Sequence, residues 1–547
     1  MRLLSIAVTA VVAHILNPRD FGVFAVALTA YAIVSSIGQL GVSACLLRAD
    51  LDVDLLAPTV VTISWTTSAI LAAIMVVYAR PIATALGSAA GADPVRAMAI
   101  AVFFAGIFAV PCTQLVRDFK LDKQFLANVI SFVPTTAALF ALAKSGSGAM
   151  AFAWSRVIGQ LIEGSVVIAY VPKNYWPGVK RSALPVLLRF GLPLAAANFV
   201  NYVLLNIDYA FVGRLLGAVA LGTYVLAFNV ASWPASLLGG MINNVSMPAF
   251  SRVKHDSELL KAAIARALRA VSLVVMPICA LTMVIARPLI LTLYGPQWIG
   301  SAEVLSVLSV YGAISIICVL FSNIIASMGQ TRLLLVTQLV WISTLVPAMA
   351  IGVHRNGIAG AAIAHIAVIG PIVLPTYLLA LKRSTRVRFT DLTRAITPGL
   401  LAASAAILAA RVTIPHFANP LVQLIAGLAA GGLVYVIAVV PFATALLNRG
   451  QAEKLRPVLR IYHTVARFMG LRVGNRPKHS ARGNIWRTQQ KPKDDKGLGV
   501  LEPGLAKLIV EPPSYAAQMA GLAMLMALAK SVPMDTIEMA AVPADHS

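Results

Sequence analysis

The chain has 547 residues, of which 59% are hydrophobic and only 12% charged. A soluble globular domain carries about 25% charged residues, so that class is excluded. The formal net charge is +23, but the excess gathers in the C-terminal tail and in alternate loops. A chain threaded through a membrane acquires that bias without any nucleic acid partner.

Apolar runs of about 20 residues recur along the chain, the length of helix that crosses a hydrocarbon core of about 30 Å. Backbone amides in lipid must pair internally, which makes these runs helices. Fourteen spans are expected, at about 2–17, 21–46, 57–79, 97–116, 126–143, 148–171, 189–213, 219–246, 264–286, 301–326, 332–353, 357–381, 395–413 and 418–446. The first span is short and starts at Met1, so part of that helix is expected to be missing; no cleavable signal peptide is evident. Segment 251–269 reads as amphipathic and is expected to run on into the ninth span. From Arg449 to Lys496 the tail is basic and rich in Gly and Pro, the composition of a disordered segment beside anionic headgroups. Its later stretch, Tyr515–Leu528, is apolar but too short to span; a surface-lying helix and a docking element are both open readings.

Lys and Arg cluster in one set of alternate loops: Arg117, Lys120 and Lys123; Lys173, Lys180, Arg181 and Arg189; Arg252 to Arg269; Lys382 to Arg394. The opposite set carries one or two each. Positive-inside bias therefore puts the rich set and both termini of this multi-pass membrane protein in the cytoplasm.

The opening of the chain recurs. Ile15-Leu16-Asn17-Pro18-Arg19-Asp20-Phe21-Gly22-Val23-Phe24 lines up with Leu215-Leu216-Gly217-Ala218-Val219-Ala220-Leu221-Gly222-Thr223-Tyr224. Ala79-Arg80-Pro81-Ile82 and Gly87 recur as Ala286-Arg287-Pro288-Leu289 and Gly295, and Ser145-Gly146 recurs as Asn356-Gly357. This is a duplication: lobes 1–185 and 186–383, two additional spans in 384–446, and the tail 447–547. Six spans per lobe start both lobes from the same side, so the repeats are parallel about an axis along the membrane normal. Transporters of this build bind substrate between the lobes and rock them.

Charge inside a span costs at least about 2.5–3.5 kcal/mol at the helix centre and marks function by default. Arg156, Gln160 and Glu163 share one face of span 6, and Asn198, Asn201 and Asp208 one face of span 7. A polar cleft between the lobes is expected, with Arg156 and Asp208 both in its outward part; fixed ion pairs or helix-to-helix hydrogen bonds are the competing explanation. Arg48 closes span 2 on the cytoplasmic side, where it can meet an anionic headgroup, although snorkelling to lipid phosphate accounts for it equally well. Arg214 reads as a boundary residue, and His14 and His365 as hydrogen-bonded interior histidines. Cys45, Cys112, Cys279 and Cys318 lie in apolar runs without CxxC spacing and read as buried single thiols, with no metal site. No HExxH, P-loop or GxSxG in a strand–helix setting is present, so the chain reads as a secondary transporter and not an enzyme.

These motifs carry a resemblance. Leu16-Asn17-Pro18-Arg19-Asp20-Phe21-Gly22 resembles the opening of polysaccharide transporter (Wzx-type) oligosaccharide flippases, and Asp208, Val212-Gly213-Arg214 and Leu221-Gly222-Thr223-Tyr224 resemble their "D…vGr…lGxY" segment. Met247-Pro248-Ala249-Phe250-Ser251-Arg252 and Leu293-Tyr294-Gly295-Pro296-Gln297-Trp298 are similar to two further stretches; the likeness covers about residues 1–446. It implies the all-α fold of the multidrug/oligosaccharidyl-lipid/polysaccharide exporters, two six-helix lobes in a V plus two extra helices. It also implies a polyprenyl-diphosphate-linked oligosaccharide as substrate, moved to the outer leaflet for cell-envelope assembly beside other polysaccharide-assembly proteins. Arg156 and Arg48 suit a diphosphate; Gln160, Asn198 and Asn201 suit a sugar. No cofactor is expected beyond a coupling ion, H+ or Na+, for which Glu163 and Asp208 are the candidates. A drug/cation antiporter of the same superfamily is the nearest alternative, and a membrane glycosyltransferase or polymerase the more distant one.

Overall fold

The computed structural model describes residues 2–38, 42–46, 52–253, 255–385 and 387–443. Among them the elements are helical: α1 (Arg2–Ile15), α2 (Pro18–Gly38), α3 (Val42–Cys45), α4 (Val53–Val77), α5 (Ala79–Ala85), α6 (Ala92–Arg117), α7 (Leu121–Lys144) and α8 (Ala149–Tyr170). They continue as α9 (Leu184–Ala231), α10 (Trp233–Val253), α11 (Ser257–Leu293), α12 (Gly300–Ser327), α13 (Thr331–Val368), α14 (Leu374–Thr385), α15 (Phe389–Thr413) and α16 (Pro420–Ala443). Ten stretches among the described residues are long and apolar enough to cross a membrane. Two compact units divide the chain, Met1–Tyr435 and Val436–Ser547. Everything below concerns the first; of the second, only the end of α16 is described.

Two of the long helices reverse direction. In a straight helix Asp208 and Tyr224 would stand about 24 Å apart at 1.5 Å per residue. Instead the Tyr224 hydroxyl donates to Asp208 Oδ2 at 3.0 Å, because the backbone breaks at Gly217 with φ 81°. Only glycine adopts that conformation without strain. α13 turns back in the same way at Asn356 and Gly357. There Gly352 and Gly360 lie so close that a Cβ on Gly360 would come 1.8 Å from the Gly352 carbonyl oxygen.

The interior is built from small residues, as close helix packing in lipid requires. Gly106 of α6 abuts Ser68 of α4, Gly159 of α8 abuts Thr135 of α7, and Gly164 of α8 abuts the Phe108 ring of α6. α8 is thereby held against α6 and α7. Of the segment 251–269, Ser251–Val253 end α10 and only the part from Ser257 runs on, as α11, to Leu293; the Asp256 cap carboxylate accepts from the amides of Glu258 and Leu259.

The elements of the first 170 residues meet the later ones chiefly where α2 crosses α9. A Cβ built at Gly22 would lie 1.6 Å from the Ala218 carbonyl oxygen, and one at Gly222 1.9 Å from that of Pro18. Shifting the numbers of either contact by 200 exchanges it with the other. A second pair of contacts shows the same reciprocity. Gly87 (φ +106°) presses on Gly213, and the turn after Gly295 (φ +92°) closes on Ala13. In that turn Gln297 Nε2 and Trp298 Nε1 both donate to the Ala13 carbonyl, at 2.7 and 3.0 Å. They satisfy an acceptor that the end of α1 leaves open, and Trp298 is fully buried doing so.

The cysteines are thiols rather than disulfides; Cys45, Cys279 and Cys318 are buried and Cys112 partly so. The tail beyond 443, including Tyr515–Leu528, lies outside the described residues.

Candidate functional site

Arg156 stands in a polar cavity of about 520 Å³ formed by α1, α2, α6, α7 and α8. The i, i+4, i+7 spacing on α8 brings Arg156, Gln160 and Glu163 onto its wall together. The α8 glycines explain the fit: because Gly159 and Gly164 carry no side chain, α7 and α6 pack tightly beside this face and leave its long polar side chains to fill the space. The Arg156 guanidinium lies 5.8 Å from the Tyr31 ring centroid, and the Tyr31 hydroxyl donates to Gln160 Oε1 at 3.3 Å. A cation over a tyrosine face gains about 0.5–2 kcal/mol depending on its desolvation. The arginine is thus steadied by its neighbours while still facing open space. Thr113, Asn128, Ser131 and Thr135 add neutral polar groups to the walls.

The other acidic residue of the expected cleft is elsewhere. Asp208 is 1% exposed and does not line the Arg156 cavity, whose lining residues all fall between Ser5 and Gly164, so the expectation of one cleft between the lobes holding both is corrected. Asp208 is enclosed by helices of the later half. It accepts from the Tyr224 hydroxyl and, at 2.9 Å, from the Tyr209 amide. His365 Nε2 lies 3.5 Å away, and the Tyr311 ring stacks on that imidazole at 4.6 Å. The carboxylate clasps the two arms of α9 across the Gly217 reversal. Face periodicity placed Asp208 on the right helix stripe, and the spans expected at 189–213 and 219–246 imply the reversal at Gly217, but neither says which neighbouring side chains the stripe meets.

Arg48 and the side chains of Asn198 and Asn201 lie outside the described residues. Arg214 is exposed at the end of the first arm of α9. Neither histidine is the hydrogen-bonded interior residue expected: His14 is exposed, its Nδ1 bonding the Ala10 carbonyl within its own helix at 2.9 Å, and His365 is buried with neither ring nitrogen in a hydrogen bond among the described residues. Tyr31 was missed by the sequence reading; its signal was a hydroxyl-bearing run, Thr29, Tyr31, Ser35 and Ser36, inside an otherwise apolar span.

At the other edge of this half, the segment joining α8 to α9 is stapled along α4. Lys173 Nζ and the Tyr175 hydroxyl both bond Asp54 Oδ1, the lysine at 2.8 Å. The Gly178 amide and carbonyl both pair with Thr62 Oγ1, and the Lys180 amide donates to Thr59. Burial, then the bond to Asp54, pushes the Tyr175 hydroxyl up to about 12.

The helix order, the two reversals and the small-residue packing define an all-helical, multi-pass membrane fold. The solved lipid II flippase MurJ, in an inward closed conformation, shares the fold with a TM-score of 0.66 at 15% identity, over 81% of this chain and 97% of that one. An inward-facing multidrug resistance MATE transporter gives 0.54 at 16% identity, over 73% and 94%. Residues 11–303 match the family described as polysaccharide biosynthesis protein, and the chain belongs to it. Its relatives include the succinoglycan biosynthesis transport protein ExoT of Rhizobium meliloti (strain 1021), 26% identical over 80% of this chain and 90% of that protein. The lipopolysaccharide biosynthesis protein WzxC of Escherichia coli (strain K12) is 24% identical over 64% and 72%.

Proposed function

We propose that this protein flips a polyprenyl-diphosphate-linked oligosaccharide from the cytoplasmic to the outer leaflet of a bacterial plasma membrane by alternating access. The observation that carries the reading is Arg156, facing an open cavity amid Gln160, Glu163 and Tyr31. An arginine offers planar bidentate donors to phosphate oxygens, and inside a membrane those bonds are little screened. The relatives named for polysaccharide transport and lipid II flipping support the same substrate class.

In this scheme the chain crosses the membrane fourteen times, as the reversals in α9 and α13 favour. It comprises parallel lobes 1–185 and 186–383, which the reciprocal glycine contacts support. Both termini are cytoplasmic, as the loop charges argue. Glu163, the acidic residue that faces the cavity, is the site for a coupling H+ or Na+; Asp208 serves as a clasp. The protein works beside other polysaccharide-assembly proteins and carries out no covalent chemistry. The MATE-like fold and the acidic Glu163 favour one second reading, drug/cation antiport.

The test is a deletion strain. Lipid-linked oligosaccharide should accumulate in its cytoplasmic leaflet and return to normal on complementation. An unchanged leaflet distribution, or drug sensitivity as the sole phenotype, refutes the flippase in favour of the antiporter.

A further inference from the structure

A second cavity, of about 350 Å³, opens between α1 and the junction of α9 with α10. Ser5 lines this cavity and the Arg156 cavity alike, which makes the two neighbours. Their chemistry differs. Among the described residues no charged side chain lines the second cavity; its polar residues are Ser5, Thr9, Asn229, Ser232, Ser236 and Tyr294, beside the Trp233 ring. Three of the hydroxyls have already committed their hydrogens to carbonyls of their own helices. Thr9 bonds Ser5, Ser232 bonds Asn229 and Ser236 bonds Trp233, at 2.8, 2.8 and 2.9 Å. A hydroxyl so engaged turns lone pairs to the cavity and acts as an acceptor. The wall therefore suits a ligand rich in O–H donors and gives nothing to neutralise a phosphate or a cation.

The polar face continues past the cavity. Asn229 near the end of α9, Ser232 at its cap, and Ser236, Gly240 and Asn243 on α10 follow one another at spacings of three or four residues; Ser232 keeps right-handed helical dihedrals (φ −82°, ψ −7°), so the five share one side of the nearly continuous α9–α10 pair. The stripe is about 21 Å long at 1.5 Å per residue. Among the described residues, a Cβ built at Gly240 meets no atom within 4 Å, so the stripe faces open space there. At its far end Asn323 of α12 donates to Asn243 at 2.7 Å, leaving both amides capacity for further bonds.

We infer that this uncharged stripe, from Ser5 and Asn229 to Asn243 and Asn323, is the track that holds the sugar chain while the Arg156 cavity holds the diphosphate. The inference rests on the flippase reading and adds a division of labour to it: charge in the earlier half, neutral acceptors and amides on the later one. A flat indole beside hydroxyls and amides suits the apolar and polar faces of a pyranose ring together.

The full-length protein in lipid nanodiscs is titrated with two probes, polyprenyl diphosphate without sugar and polyprenyl-diphosphate oligosaccharide extracted from a host lacking this gene. The wild type should prefer the sugar-bearing lipid by about tenfold. Gly240→Trp, which fills the open stripe, and Asn229→Ala should each erase most of that preference, while affinity for the bare lipid stays within about twofold and certifies the fold. Gly432→Trp on α16, at a glycine equally free of neighbours, is the control for added bulk and should retain the preference. A wild type that binds both probes equally, or a Gly240→Trp protein that keeps the preference, overturns the track and leaves the flippase reading intact. If the wild type binds neither probe, the flippase reading falls and takes the track with it.

Discussion

The crossing of α2 with α9 permits a prediction in which the sign of non-additivity is the test. A Cβ at Gly22 would sit 1.6 Å from the Ala218 oxygen, and ordinary contact begins at 3.4 Å. Gly22→Ala must therefore drive the two backbones apart by about 1.8 Å. The obstacle is a carbonyl, which cannot rotate aside as a side chain could. Overpacking of this kind costs about 1–3 kcal/mol, and a rigid partner argues for the upper part of that range. Gly222→Ala pushes at Pro18 from the opposite side of the same crossing and should cost about as much. Once the helices have separated for one methyl, however, the second finds room. The double variant should cost scarcely more than either single one, a coupling of about 1–3 kcal/mol where independent sites would add.

Thermal unfolding in detergent reads the cost. Spin labels at Thr84→Cys and Val219→Cys, both exposed positions, read the separation. The same destabilisation acts on the closed seam, so the population with this end open should rise by about tenfold for each 1.4 kcal/mol. Strictly additive losses, or an unchanged label distance in either single variant, would refute the claim that the two glycines guard one contact.

Four further outcomes follow from individual contacts. Arg156→Ala should abolish polysaccharide export while leaving the protein folded, and Arg156→Lys should restore only part of it, since an ammonium keeps the charge but not the bidentate geometry; surface polysaccharide per cell measures both. Asp208→Ala strands the Tyr224 hydroxyl without its acceptor, about 1–3 kcal/mol, while the Tyr209 amide keeps its helical partner; Asp208→Asn keeps an acceptor and should cost less in a thermal melt while still transporting. Gln297→Ala and Trp298→Phe should each be mild, because either donor alone still satisfies the Ala13 carbonyl; together they should exceed their sum, and a merely additive double variant would contradict the shared acceptor. For Tyr175, a pKa raised to about 12 in the fold against about 10 when unfolded means that its hydrogen bond stabilises below pH 10 and is lost as pH rises towards 12. Protease cutting of segment 171–183 should stay flat below pH 10 and climb above it, and Tyr175→Phe should remove the climb.

Much of this was legible in the sequence, and for identifiable reasons. Apolar length and the demands of lipid on the backbone dictate helices. The Gly22/Gly222 and Gly87/Gly295 matches were readable because each glycine is required where it stands, the first pair by backbone contact and the second by positive φ. The Arg156, Gln160 and Glu163 face was equally readable, since helical periodicity alone puts them together. Periodicity says which residues share a face but not which neighbour that face meets. That is why Asp208 was expected in an open cleft and is found clasping its own hairpin. The break at Asn356 and Gly357 was legible too: the spans expected at 332–353 and 357–381 part there, and the backbone turns back at those two residues. The short α3 and α5 left no pattern at all, being too brief for a period to show.

The neutral stripe was invisible for a different reason. Serine, asparagine and glycine within an apolar helix ordinarily signal close packing, as they do at Ser68 against Gly106. The same composition at Ser236 and Gly240 borders open space, and only coordinates separate the two cases. The contrast bears on how one fold can serve substrates with a charged anchor and a long neutral head. A cation that binds phosphate tightly inside a membrane would also hold it too long, since each buried charge-assisted bond is strong. Spreading the remaining recognition over many weak, uncharged contacts adds selectivity for the sugar without deepening that electrostatic trap. Each hydroxyl contact contributes only about 0.5–1.5 kcal/mol, so the head group can leave the stripe in steps when the seam at Gly22 and Gly222 opens.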